Sequence, residues 1–225
     1  MSGPGLTGYD AVILAGGRSS RLGGEPKAEL VVEGETLLLR TLHAVRDAAC
    51  AAVVGPPSLA GALSRSVPAP VLVREEPPFS GPAAAMGAGI AAIGRRSDGS
   101  AATRRPWTLV LACDMPEARS AVPVLLAAAD QDPGRSVLAR DGAGKTQPLA
   151  GLYRTDALLQ AVAGGPESLV NLSMFSMLAR VQWREVAVPE GSTADVDTWD
   201  DARKWGIMPR ARAAPSSGPA AAAKE

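Results

Sequence analysis

Short apolar runs that stop at turn residues alternate with segments of helical period along residues 9–206. That alternation constrains the fold of this 225-residue chain more than any other feature. YDAVILA (9–15) ends at Gly16-Gly17, as a strand buried on both faces does. ETLLLRTLHAVRDAA (35–49) reads as a helix, with Leu38, Leu42 and Val45 on one face. CAAVVG (50–55) and APVLVRE (69–75) read as strands, and GPAAAMGAGIAAIG (81–94) as a small-residue helix with Pro82 in its first turn. WTLVLACD (107–114) is the clearest strand and ends on Asp114. Further on, PVLLAAAD (123–130) reads as helix, RSVLAR (135–140) and QPLAGLYR (147–154) as strands, and TDALLQAVA (155–163) and ESLVNLSMFSMLAR (167–180) as helices. VQWREVAV (181–188) and DTWDDARKWG (197–206) supply a last strand and a closing helix. The pattern predicts an α/β fold of three layers, a mostly parallel sheet with helices on both faces. Ligands in such sheets bind beyond the carboxyl ends of the strands, where the glycine pair and Asp114 both fall.

The compositional shifts set the domain limits. Residues 1–8 read as a flexible lead, 9–208 as the domain, and 209–225, rich in Ala, Pro, Ser and Gly, as a disordered tail. GRRSDGSAATRRP (94–106) reads as a surface loop. Lys+Arg and Asp+Glu both number 23, so no global basic field draws the chain to nucleic acid, and local sites must do the binding. No run of apolar residues is long enough to span a membrane, and no signal peptide is expected from the residues before the first strand. Cys50 and Cys113 both sit in apolar runs and read as two buried thiols, which fits a reducing cytoplasm. With His43 as the single histidine, a zinc site is not expected. The expected assembly is a monomer or weak homo-oligomer.

The chemistry is carried by LAGGRSSRLGGEPK (14–27). Gly16 and Gly17 let the backbone turn sharply after the strand and approach a ligand closely. Their amides, with Arg18, Arg21 and Lys27, supply what a triphosphate needs: fixed N–H groups, forked cations and a compact one. Solvated cations on a glycine turn are the bland alternative, and three of them after a buried strand argue against it. Other glycine patterns lack this context. GPGLTG (3–8) and GAGIAA (87–92) follow no strand, and GAGKT (142–146) has Ala139 where a P-loop needs glycine. Asp114 at a strand tip either holds a metal or caps the next helix. Asp195 and Asp197 precede Thr198 and carry the same two readings. Glu75 and Glu76 follow a strand, and the Met/Phe stripe at 172–178 has the spacing of a core face, with the wall of a ligand pocket as the alternative.

The loop resembles the signature of the molybdenum cofactor guanylyltransferase family, roughly LAGGxSxRxGxxK. Similar blocks follow in order: SGPAAAMGAGI (80–90), LACDMP (111–116), QPLAGLYR (147–154) and DVDTWDD (195–201). Pro26 stands where the family often has Asp. Asp195 and Asp197 stand where many guanylyl members have Asn, which leaves the choice of base open between the guanylyl and cytidylyl branches. The resemblance implies a Rossmann-like nucleotidyltransferase fold and transfer of GMP from GTP to a molybdopterin-type phosphorylated acceptor, with Mg2+ and release of pyrophosphate. It implies nucleotide contacts at Leu14, Ala15, Gly16, Gly17, Arg18, Lys27, Glu76, Gly81, Pro82 and Asp114. Gln147 and Asp195 would face the acceptor, and Asp114 and Asp197 would hold the metal. Arg21, Lys27 and Asp114 are the expected catalytic set: Arg21 on the outer phosphates, Lys27 near the α-phosphate. The competing readings are cytidylyl or other nucleotidyl transfer, and a nucleotide-binding module without turnover.

Overall fold

A computed structural model of the chain describes residues 8–64, 66, 68–96 and 104–208. The expected tail, nearly all of the lead with its GPGLTG pattern, and most of the 94–106 loop lie outside the described residues. In chain order the elements are β1 (Tyr9–Leu14), β2 (Val31–Val32), β3 (Glu35–Thr36), α1 (Leu37–Ala44), β4 (Ala51–Val54), α2 (Ala60–Leu63), β5 (Val71–Val73) and α3 (Pro82–Arg96). There follow β6 (Trp107–Ala112), α4 (Ala118–Gln131), β7 (Ser136–Arg140), β8 (Thr146–Arg154), α5 (Thr155–Ala161), α6 (Met174–Met177), β9 (Trp183–Ala187) and α7 (Trp199–Lys204).

Seven strands form one sheet in the order β5-β4-β1-β6-β8-β7-β9, and β2 and β3 make a separate hairpin. The pairings are parallel except those of β8, which runs against both β6 and β7. A tight turn reverses the chain there, because a two-stranded connection this short cannot cross over. Asp141 holds that turn: its backbone pairs with Gly144 and Lys145, and its carboxylate accepts the amides of Ala143 and Lys145. GAGKT is therefore a hairpin turn, and not the strand-to-helix connection of a P-loop.

β1 shows how sequence becomes layers. Ala11 and Ile13 point to one face, with Leu38 and Leu42 of α1 and Ala121 and Leu125 of α4. Val12 and Leu14 point to the other, with Ala83, Met86 and Ile90 of α3. Covered on both sides, the strand is apolar at nearly every position, and the expected three-layer architecture is the observed one. After β1 the chain builds outward through β4 and β5, then returns to place β6 on the opposite flank of β1. That reversal opens a crevice beyond the carboxyl ends of β1 and β6.

Several expected boundaries move, each for a local reason. The helix expected over 35–49 is shorter. Glu35 and Thr36 pair with β2, the Thr36 hydroxyl accepts the Leu39 amide, and the Ala49 amide already bonds Tyr9 of the sheet. α4 begins at Ala118, five residues before the expected start, and tolerates Pro123 with Arg119, whose carbonyl loses that amide, exposed. The single helix expected over 167–180 is broken: Asn171 takes φ +57°, and Ser173 caps the short α6. Cys113 is buried as expected, but Cys50 is only half-buried.

Packing is tightest where α3 crosses the sheet. A methyl group on Gly89 would stand 2.5 Å from Val12 Cγ1 and 3.0 Å from Val54 Cγ2. Both valines are buried and β-branched, so neither can swing aside. Overpacking costs about 1–3 kcal/mol, against a helix-propensity gain of at most about 1 kcal/mol. Gly89→Ala is accordingly expected to lower the denaturant midpoint in equilibrium unfolding. An unchanged or raised midpoint would contradict this packing.

Candidate active site

Three stretches of chain meet in the crevice. The first is the loop after β1. Gly17 takes φ +138°, a conformation that side chains other than glycine rarely adopt, and Ser19, Gly23 and Gly24 are also left-handed. Leu22, fully buried, pins the middle of the loop. Pro26, at a φ of −64° that its ring already prefers, leads into a 3-10 turn at Lys27–Glu29. The proline at the position where Asp was expected thus starts the turn that carries Lys27. The second stretch follows β6, where the Cys113 amide bonds the Leu14 carbonyl and keeps the two strand ends side by side. The third, residues 195–197, precedes α7. The Val196 amide donates to the Asp114 carbonyl at 2.9 Å, and its side chain is fully buried. Leu22 and Val196 belong to one small apolar cluster with Leu30, Val32, Leu37, Ala202 and Ile207. That cluster fastens the loop and the closing segment to each other across more than 170 residues of sequence.

The polar consequence is a charge cluster. Lys27 Nζ donates to Asp114 Oδ2 at 2.8 Å and also bonds Asp197 Oδ1. Arg21 donates to the other oxygen of Asp197 at 2.7 Å. Neither aspartate is spent as a helix cap: α7 is capped by Thr198, which exchanges bonds with Asp201 in a capping box, and α4 has no side-chain cap. Burial opposes the charge on Lys27, but Asp114 and Asp197 outweigh it and raise the ammonium above its usual range. The bond from Lys27, then its charge and that of Arg21, hold Asp197 below the usual carboxylate range despite partial desolvation. Asp195, exposed as a residue, has its carboxyl pushed up by desolvation first and then by the negative charges of Asp114 and Asp197. One oxygen from each of Asp114, Asp195 and Asp197 lies within 4.8 Å of the others. Three hard oxygen donors at this separation suit an oxygen-preferring divalent cation, and no histidine or thiolate joins them among the described residues.

A cleft of about 820 Å3 opens over this cluster. Of the residues singled out from sequence, Leu14, Gly16, Gly17, Arg18, Lys27, Gly81, Pro82, Asp114, Gln147 and Asp195 line it. Ala15 lies beneath, buried, with its amide bonded to Val54. Arg21 and Asp197 join through their ion pair at the edge. Glu76 instead lines a neighbouring, smaller cleft beside α3. Glu75 faces the main one, buried, its carboxylate accepting the Phe79 amide at 2.9 Å. Sequence reading gave no role to Phe79, Lys145 and Asn171, which also line the cleft, and it read Phe175 within a stripe as core or pocket wall. The two phenylalanines did leave a signal, since the chain has only two. Met174 and Met177 are core, as the stripe predicts, but Phe175 is half exposed on the cleft wall.

Comparison with known proteins bears on this arrangement. Residues 11–176 match the model of the MobA-like NTP transferase domain. A protein of Opitutus terrae called a probable molybdenum cofactor guanylyltransferase is 33% identical over 193 residues, covering 84% of this chain and 88% of that one. Among solved structures, the molybdopterin-guanine dinucleotide biosynthesis protein A of Archaeoglobus fulgidus superposes with a TM-score of 0.62 at 18% identity, over 87% of this chain and 96% of that chain. A Mycobacterium tuberculosis protein solved as a manganese complex gives 0.60 at 21% identity, over 88% and 98%. At these identities the structural matches establish the fold. Asp195 and Asp197 lie beyond the end of the family match, and the folded chain brings them to Asp114.

Removing the ammonium leaves three carboxylates facing one another. Lys27→Met should lower stability by about 1–3 kcal/mol in the presence of a chelator. Added Mg2+ or Mn2+ should recover part of that loss, as read by thermal unfolding. Equal melting temperatures for both proteins, with no cation effect, would show that Lys27 does not balance this cluster.

Proposed function

The chain belongs to the MobA-like NTP transferase family and is a nucleotidyltransferase, and we propose that it transfers GMP from GTP to a molybdopterin-type phosphorylated acceptor, releasing pyrophosphate with Mg2+ as the metal. The observation that carries this reading is the contact of Lys27 with Asp114 and Asp197 at the mouth of the phosphate-loop cleft. The name of the Opitutus relative supports guanylyl transfer and the molybdenum cofactor as acceptor. The oxygen-only donor set at Asp114, Asp195 and Asp197 fits Mg2+ or Mn2+, and the manganese complex of the Mycobacterium protein is consistent with it.

In the proposed reaction an oxygen of the acceptor phosphate forms a bond to the α-phosphorus of GTP. The bond from that phosphorus to the bridging oxygen of the β-phosphate breaks, and pyrophosphate leaves with the electron pair. No covalent enzyme intermediate is needed. A phosphate is already anionic near neutral pH, so the attacking group requires no strong general base, which suits a site without histidine. The chain's contribution is position and charge. The amides of Gly16 and Gly17 and the guanidiniums of Arg18 and Arg21 hold the outer phosphates. Lys27, within reach of the acids and the loop alike, turns its ammonium to the oxygens of the α-phosphate. Asp114 and Asp197, with Asp195 beside them, would hold the divalent cation, which when bound neutralises charge on the phosphate oxygens. Gln147 donates one N–H to Asp141 at 2.9 Å and so presents its amide to the acceptor side in a held orientation. Lys145, on the same turn, adds a cation there.

Pyrophosphate release with the molybdopterin acceptor, measured separately with GTP, CTP, ATP and UTP, tests the assignment. GTP is expected to lead. A clear preference for CTP would move the protein to the cytidylyl branch, in line with the aspartates of its closing motif. Lys27→Ala and Asp114→Ala should each reduce turnover by a factor of about 100 to 1,000, with near-UV circular dichroism showing that both remain folded. Near-normal turnover in either would remove that residue from the mechanism.

A further inference from the structure

We propose that Phe79 is the stacking platform for the nucleotide's base. This rests on the reading above that the cleft binds a nucleoside triphosphate, and it names the residue that holds the flat end of that molecule.

Four observations converge on Phe79. The chain has two phenylalanines, and neither is in the core: Phe79 is 45% exposed and Phe175 51%, and both line the same cleft. Two half-exposed rings on the wall of one cleft are the kind of aromatic lining that small-molecule sites use. Second, Phe79 adopts φ +65°, a left-handed conformation that is unfavourable for a bulky side chain and is kept only where the surroundings enforce it. Third, the surroundings do enforce it. Buried Glu75 accepts the Phe79 amide at 2.9 Å, and the next residue, Ser80, bonds through its carbonyl to the Asn171 amide at 2.7 Å. The loop is thus tied at both ends while the ring projects. Fourth, planar cations already lie against this ring: the guanidinium carbons of Arg18 and Arg74 are 5.3 Å and 5.0 Å from its centroid.

Arg18 also decides which substrate the ring serves. It belongs to the loop that faces the triphosphate, so the ring stands on the nucleotide side of the cleft, two residues before Gly81 and Pro82, which line it as well. When Arg18 turns to a phosphate, it leaves that ring face to the base, so the guanidinium and the ring hold the two ends of one ligand. Stacking is tolerant of base identity because every base has a π-face. Phe79 therefore contributes affinity, and the choice among bases falls to hydrogen-bonding groups elsewhere on the wall.

The test is isothermal titration of the full chain, wild type and variants, with GTP, CTP, ATP, UTP and inorganic tripolyphosphate in the presence of Mg2+. Phe79→Ala is expected to weaken the tightest-binding nucleotide between about 5- and 150-fold, the range that single base–aromatic contacts give. Tripolyphosphate should bind the variant as it binds wild type, which also shows that the cleft is still folded. Phe79→Leu should lose affinity in the same way, and Phe79→Trp should restore it. The proposal is overturned if Phe79→Ala binds the nucleotide as wild type does. It is equally overturned if tripolyphosphate weakens in parallel, since the ring would then only be propping Arg18, or if Phe175→Ala carries the loss instead. Failure of all four nucleotides to bind wild type would remove the functional reading itself and this inference with it, an outcome distinct from the others.

Discussion

The ammonium of Lys27 stands between the carboxylates of Asp114 and Asp197, and much of the fold is organised around letting three distant pieces of chain reach that point. The strand order reverses at β1, so the loop after β1 and the acid after β6 emerge side by side at the same edge. The third piece, residues 195–197, arrives after the last strand has been laid down at the far side of the sheet. Within the site the acids and bases pair with one another: Lys27 with Asp114 and Asp197, and Asp197 also with Arg21. The acids hold the two cations in fixed orientations, the kind of preorganisation on which electrostatic catalysis relies.

Holding such a cluster together requires something that does not depend on charge. The main core on either face of the sheet positions β1 and β6 and takes in Ala15 and Ala28 at the two ends of the loop, but it reaches neither the middle of the loop nor the closing segment. A separate apolar cluster does, with Leu22 from the loop, Val196 from between the two aspartates, and Ala202 and Ile207 from α7 and its end. The capping box at Thr198 and Asp201 starts α7 immediately after Asp197, which leaves that carboxylate for Lys27 and Arg21. The part of the cleft lined by Lys145 and Gln147 is built by a different device, the reversed strand β8, whose turn Asp141 holds by accepting bonds from Ala143, Lys145 and Gln147. One side of the cleft is therefore set by nonpolar packing and the other by a hydrogen-bonded turn.

Much of this was legible in the sequence wherever the signal was periodic or compositional. Strands covered on both faces are continuous apolar runs, so β1 and β6 read without ambiguity. Helices with a clear stop, such as α3 beginning at Pro82, read almost as well. The misreadings fell where local preference met a longer-range partner. Residues 35–36 look helical until β2 is there to pair with them. Residues 167–180 have a helical stripe, but Asn171 is pulled to a left-handed turn where its amide meets Ser80. Of the two adjacent acids at 75 and 76, nothing in their order says which turns inward. The fold buries Glu75 between the main cleft and its neighbour and leaves Glu76 exposed on the neighbour alone. Phe175 shares a helical stripe with Met174 and Met177, and a stripe does not reveal that its helix is one turn long with an open side.

What the sequence determined by itself is the alternation that makes a three-layer sheet, the glycine loop with its cations, and the presence of acids at two other strand or helix ends. These are local properties: a period, a turn residue, a charge next to a breaker. Only the tertiary structure decided that Lys27, Asp114, Asp195 and Asp197 share one point in space, that Phe79 projects over the loop, and that Glu75 turns inward in preference to Glu76. Distances between residues far apart in sequence are set by packing energies summed over the whole core, and no window of sequence contains that sum.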